Sequence, residues 1–231
     1  MATHRDQWGT RLGFILAAAG SAAGLGNIWK FPYMAGENGG AAFLIIYLAL
    51  VFSIGLSVML CEFVIGRAAQ RNPVGAYGIL KGGKWKIAGF LGVAAGFIIL
   101  SFYSVVAGWT IAYIFKAAGG LLATSDPAAL GEIFGKFSAD PLQPIFYHGM
   151  FMALTVLVII GGISGGIERT CRILLPLLFV LLVILAMRAL TLPGAMEGLI
   201  FFLAPDFSKV TAATFNGALS QAFFSLSLGM G

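Results

Sequence analysis

The sequence predicts an all-α polytopic membrane protein. Three observations carry that prediction: an extreme apolar composition, a series of uncharged runs long enough to cross a bilayer, and basic residues gathered in the short segments between them. Of 231 residues, 59% are hydrophobic and only 10% charged, with a mean hydropathy of +0.96. A soluble domain of this length cannot hide that much apolar surface in one core, so lipid must act as solvent. The formal charge of +5 does not indicate nucleic-acid binding, because the basic residues fall between apolar runs and are not interleaved with aromatics. Cys61 and Cys171 have neither CxxC spacing nor a disulfide-dense setting and read as packed thiols.

A spanning helix needs about 20 mostly apolar residues. Uncharged runs approach or exceed that length at Leu12 to Trp29, Ala41 to Cys61, Ile87 to Phe115, Pro141 to Ile167 and Val210 to Gly231. A shorter run from Ile173 to Met187 extends past Arg188 to Leu192, where a long cationic side chain can snorkel to the interface. The expected organisation is a cytoplasmic arm (1–11), then five spans within 12–193 at about 12–36, 41–66, 87–118, 144–163 and 171–192. An external loop (194–209) and the start of a sixth span (210–231), cut within its unwound region, follow.

Arg5 and Arg11 precede span one; Arg67, Arg71, Lys81, Lys84 and Lys86 separate spans two and three; Arg169 and Arg172 separate four and five. The positive-inside rule puts these clusters and the N-terminus in the cytoplasm. The stretch from Leu121 to Gln143, with Asp126, Glu132, Lys136, Asp140 and two prolines, suits an external loop. A cleaved signal peptide is disfavoured, because the first apolar run is long and glycine-broken, Asp6 stands in the charged start, and further spans follow.

The middle of span one reads Gly20-Ser21-Ala22-Ala23-Gly24-Leu25-Gly26-Asn27. Glycine weakens helix by up to about 1 kcal/mol relative to alanine, and broken backbone in hydrocarbon is tolerated only against protein or a wet cavity. Unwound carbonyls there can replace the water around a cation, and freed amides attract a carboxylate. The competing reading is close helix packing through Gly20-xxx-Gly24, the role expected of Gly92 with Gly96 and of Gly161 with Gly165. On span one alone the two readings balance. The last span shifts them, since Gln221 to Gly231 again sets hydroxyls (Ser225, Ser227) and glycines (Gly229, Gly231) at mid-membrane, and paired broken helices mark a carrier's midplane site.

At these residues the chain resembles the neurotransmitter:sodium symporter family. The resemblance runs from Arg5 and Trp8 through Gly24-Leu25-Gly26-Asn27-Ile28-Trp29-Lys30-Phe31-Pro32-Tyr33 and Glu37-Asn38-Gly39-Gly40 to the Ser-Leu-Gly-Met-Gly end. It implies the first half of a five-plus-five inverted-repeat transporter fold with discontinuous helices one and six. The implied activity is sodium-coupled symport of hydrophobic L-amino acids, aromatic ones included, by alternating access across the inner membrane.

The resemblance also implies where each ligand lies. Sodium site one takes the carbonyl of Ala22, the side-chain oxygen of Asn27, the hydroxyl and carbonyl of Ser225, and the substrate carboxylate. Sodium site two takes the carbonyls of Gly20 and Ala23. Substrate lies against Ala22, Leu25, Gly26 and Ser225, with Tyr103 on its carboxylate and Ile99, Phe224, Ser227 and Met230 around the rest. Arg5 and Trp8 gate the cytoplasmic side, and Lys30, Tyr103, Gln221 and Phe224 the outer side. Relatives that carry monoamines have aspartate where this chain has Gly24, so the substrate should bring its own carboxylate. Met230, in place of a phenylalanine, leaves room for larger side chains.

Departures from the pattern matter as well. Lys30 replaces an arginine and loses the rigid bidentate fork. Glu62, beside Arg67, reads as half of a structural ion pair rather than a proton carrier. Gly166 and Pro176 enclose nine residues; in some family members that spacing lets span five unwind, whereas the plain alternative is an ordinary helix start with proline in its first turn. Tyr47, Gln221 and Ser225 match chloride-site positions without deciding chloride dependence. The other half of the implied sites falls outside this sequence, so a non-transporting fragment that needs a second half is one alternative and a channel another. No cofactor other than the coupling ion is expected. An enzyme is disfavoured: His4 and His148 are isolated, no HExxH occurs, and Gly24-Leu25-Gly26 lacks the third glycine of a dinucleotide site.

Overall fold

The structure, a computed structural model, describes residues 8–124 and 126–230. Arg5 of the expected gate and Gly231 therefore lie outside the described residues. Among them the chain is helical throughout, with no strand. The helices are α1 (Arg11–Ala22), α2 (Gly26–Glu37), α3 (Ala41–Ala69), α4 (Pro73–Lys81), α5 (Gly83–Ala118), α6 (Pro127–Ala139), α7 (Gln143–Ile160), α8 (Gly162–Leu190), α9 (Ala195–Leu203) and α10 (Ala212–Ser225).

Four of the described helices, α3, α5, α7 and α8, are long and apolar enough to cross a membrane, and α1 with α2 makes a fifth candidate span bent by 44°. None of the α7 window and only 6% of the α8 window is buried within the chain, so these apolar faces must meet lipid or other protein. At 14 residues, α10 is too short to span alone.

Local chemistry sets the boundaries. Thr10 caps α1 by accepting from the Gly13 N–H at 2.9 Å, and Thr211 and Thr214 form a reciprocal capping box for α10. Asn72 and Asp126 cap α4 and α6, each followed by a proline whose missing N–H costs nothing in the first turn. Gly40 joins α2 to α3 at φ 58°, and a Cβ there would sit 2.3 Å from the Phe201 carbonyl oxygen. Only glycine satisfies both conditions.

The described residues divide into two compact units. In one (8–93 and 168–230), α2, α3 and α10 share a core of Ala35, Phe43, Leu50, Ala218 and Ala222, flanked by Phe31, Tyr47 and Phe202. The Phe31 ring lies 5.7 Å from Phe43 and 4.9 Å from Tyr47. In the other (94–167), Gly108 of α5 lets the backbone of His148 in α7 approach to within 3 Å of where a methyl would stand, and Trp109 and Tyr113 pack on Phe134 of α6. Among the described residues three π-helical turns interrupt the α pattern, at Gly26–Lys30, Val51–Gly55 and Gly162–Glu168. The last opens α8, which then runs helically through Pro176. The segment between Gly166 and Pro176 is thus wound, first as a wide turn and then as α-helix.

Candidate functional site

The glycine-rich middle of the first span is where the helix stops. α1 ends at Ala22, Ala23 leaves helical geometry at ψ 33° while its N–H still reaches the Ala19 carbonyl at 2.8 Å, and the chain resumes as a π-helical turn at Gly26. The carbonyl of Gly24 accepts from the amides of Asn27 at 3.0 Å and Ile28 at 3.3 Å, which starts the second half.

Asn27 is the hub of the break. Its side-chain N–H donates back across the gap to the Ala22 carbonyl, and its Oδ1 accepts the Ser225 hydroxyl at 2.5 Å. Gln221, one turn before Ser225 on α10 and only 1% exposed, donates its amide to the Gly26 carbonyl at 3.0 Å and lies 3.3 Å from both Asn27 Oδ1 and Ser225 Oγ. Its own Oε1 is buried without a hydrogen-bond partner. The oxygens of Ala22 and Ser225 are thereby gathered around the Asn27 amide, all of these groups neutral. No cluster of three or more His, Cys, Asp or Glu that could hold a metal occurs among the described residues. Neutral hard oxygens suit a monovalent cation better than calcium or zinc.

α10 also ends here. After Ser225 the chain turns through Leu226–Gly229, with Ser227 at φ 53° and Gly229 at φ 78° in left-handed geometry. The Gly229 N–H donates to Glu62 Oε1 at 2.6 Å, and a Cβ on Gly92 would lie 2.6 Å from the Gly229 carbonyl oxygen. Both observations correct the sequence reading. Glu62 makes no ion pair with Arg67 among the described salt bridges, because the amide freed where α10 ends is a nearer donor. Gly92 makes room for the broken segment rather than for a helix face, while Gly96 has open space beside it.

The remaining named residues are placed as follows. Ala22, Ala23 and Leu25 are half-buried around the break and Gly26 is buried; Gly20 faces Cys171 Sγ at 3.8 Å from its would-be Cβ. Ser227 and Met230 are half-buried in and after the turn. Lys30 lies over the Phe224 ring, 5.1 Å from its centroid, a cation–π contact. Trp8 packs edge-on to Phe14 at 5.7 Å. Ile99 and Tyr103 belong to the other unit, both half-buried, with Tyr103 edge-on to Phe102 at 5.9 Å. Sequence reasoning passed over Glu168, which is buried and hydrogen-bonded to the start of α1. The available signal was an acid four residues before Arg172 at the mouth of an apolar run.

Comparison with known proteins agrees with this architecture. An uncharacterized sodium-dependent transporter of Bacillus subtilis (strain 168), YhdH, is 46% identical over 225 residues, covering 97% of this chain and 50% of that protein. The mouse sodium-dependent neutral amino acid transporter SLC6A17 is 29% identical over 261 residues, covering 98% of this chain and 35% of its own length. The crystal structure of MhsT in complex with L-phenylalanine superposes with a TM-score of 0.89 at 51% identity, over 98% of this chain and 52% of that one. The chain thus spans about half the length of YhdH and of MhsT. The sequence profile of the sodium:neurotransmitter symporter family matches residues 5–126 and 146–231, and with its broken first helix and shortened α10 this chain belongs to that family.

Proposed function

We propose that this chain forms the first half of a sodium-coupled symporter for hydrophobic L-amino acids, aromatic ones included, working by alternating access. The observation that carries the reading is the convergence of the Ala22 carbonyl, Asn27 Oδ1 and Ser225 Oγ where two helices stop. Sodium at this point takes up those oxygens as the Asn27 amide turns from Ala22 and the Ser225 hydroxyl rotates away from Asn27. The substrate carboxylate completes its shell, so ion and amino acid bind together. Gly20 and Ala23 supply carbonyls to a second sodium.

Substrate lies along Leu25, Gly26, Phe224, Ser227 and Met230. Gly24 brings no carboxylate of its own, which selects amino acids over amines. A neighbour solved with L-phenylalanine and a relative described as a neutral amino acid transporter support that substrate class. Lys30 over Phe224 forms part of the outer gate with Gln221, and Trp8 part of the inner one. The basic clusters support a cytoplasmic N-terminus, and the reading sets the protein in the inner membrane.

The experiment is uptake of labelled phenylalanine, leucine and tryptophan by the full-length gene product in proteoliposomes, with and without an inward sodium gradient. Saturable, sodium-driven accumulation is the expected result. Sodium current without saturable uptake would replace the carrier with a channel.

A further inference from the structure

A buried carboxylate stands at the foot of α1, away from the cation site. Glu168 closes the π-helical turn that opens α8 and is 2% exposed. Its Oε2 accepts the backbone N–H of Gly9 at 2.7 Å, and its Oε1 accepts the Thr10 hydroxyl at 2.8 Å and the Arg172 guanidinium at 2.6 Å. Thr10 in turn caps α1 through Gly13 and lies 3.3 Å from Arg172. Gly13 is bare because it must be: a Cβ there would fall 2.2 Å from the Glu168 carboxyl carbon. Two turns higher, Gly20 faces Cys171 and Leu175 of α8 at 3.8 and 3.9 Å.

Burying a carboxylate is costly unless it is paired and fully hydrogen-bonded. Here two of its three donors come from Gly9 and Thr10, which lead into α1, and only Arg172 from its own helix, so the charge is satisfied only while the foot of α1 stays docked. A passive packing contact between two apolar helices needs no such group. The arrangement has two discrete conditions, docked and released, and α1 carries the carbonyls of Gly20, Ala22 and Ala23 above it.

We propose that Glu168 is a positioning residue for ion coupling: it fixes the register of α1 against α8 so that those three carbonyls face the cation, and letting go frees the foot of α1 to move off α8. This rests on the sodium-coupled reading above. Departure of α1 uncovers Cys171, which serves as a native reporter.

The experiment follows alkylation of Cys171 by N-ethylmaleimide, read by peptide mass, in the full-length gene product in proteoliposomes across a sodium series, alongside amino-acid uptake. In the unaltered protein sodium should slow the alkylation. Glu168→Gln keeps the shape and removes the charge; it should raise the sodium-free rate roughly tenfold, as expected for lost hydrogen bonds to a charged group. It should also raise the sodium needed for half-protection about fivefold or more, with the substrate KM at saturating sodium within about twofold. Gly13→Ala, which crowds the carboxylate from the other side, should reproduce both changes, and combining it with Glu168→Gln should add little to either variant alone, because both break the same fastening. Unchanged Cys171 reactivity in both Glu168→Gln and Gly13→Ala overturns the fastening. Equal half-protection in variant and unaltered protein overturns the positioning role while the sodium reading stands. Faster alkylation in Glu168→Gln with no sodium effect in either protein supports the fastening and overturns the sodium reading.

Discussion

The two ends of α1 are held by opposite chemistry. At its foot a carboxylate accepts from a backbone amide, a hydroxyl and a guanidinium; at its top an uncharged amide, a hydroxyl and a carbonyl hold one another. A charged fastener is strong because its release strands a buried ion. A neutral one can be exchanged, since each net hydrogen bond is worth only about 0.5–1.5 kcal/mol. On the proposed sodium-coupled reading, the exchangeable contacts lie at the ion and the ionic contact elsewhere.

Asn27→Ala breaks the neutral end at its hub and should have the largest effect. Ala22, Gln221 and Ser225 all lose a partner, and sodium-dependent uptake should fall by about 100-fold, the equivalent of roughly two net hydrogen bonds and a ligand. Sodium dependence unchanged in Asn27→Ala would remove Asn27 from the ion site. Gly92→Ala comes next. A methyl 2.6 Å from the Gly229 carbonyl oxygen should cost about 1–3 kcal/mol through overpacking, visible as a lowered melting temperature in detergent and weaker substrate binding.

Ser225→Ala removes one donor to Asn27 and should raise the sodium concentration for half-maximal uptake by about 5- to 10-fold. Met230→Phe leaves both ends of α1 intact and should shift the leucine-to-tryptophan uptake ratio toward leucine by about 5-fold, the discrimination a pocket gains from a change of a methylene or two. An unchanged ratio would place Met230 outside the pocket.

The smallest effect lies far from α1. Asp206 accepts the Ser208 hydroxyl at 2.5 Å and its N–H at 3.1 Å, and pairs with Lys209 at 3.3 Å; these contacts hold its carboxyl below the usual aspartate range. A depressed folded pKa means the contribution is complete above the ordinary aspartate value of about 4 and is lost as pH falls through the lower folded value. The melting temperature of Asp206→Asn should therefore match that of the unaltered protein under strong acid and trail it slightly near neutrality.

The fold class and the break in the first helix were legible because each follows from local composition. Apolar runs declare a membrane solvent, and Gly20, Gly24 and Gly26 declare a place where helix is weak. Asn27 and Ser225 entered through a family resemblance, since nothing local says that they meet across 198 positions. Glu168 was passed over and Glu62 misjudged for the same reason. Each sits beside an arginine in sequence, yet Glu168 also reaches back 158 and 159 positions to α1, and Glu62 forward 167 to Gly229. Periodicity describes the face a residue shares with its neighbours, whereas both carboxylates take an amide left free at a helix end.

The wide turn at Val51–Gly55 makes α3 sensitive to counting. Each α-helical residue rotates the chain by about 100°, and a π-helical turn holds one residue more than the α-helix it replaces. Deleting a single residue there would allow regular helix to re-form, but it would swing everything beyond it, Glu62 included, by about that angle. A one-residue deletion that a surface loop would absorb should take the carboxylate away from Gly229 without altering a single side chain, so in this stretch of the gene the length is under as much constraint as the letters.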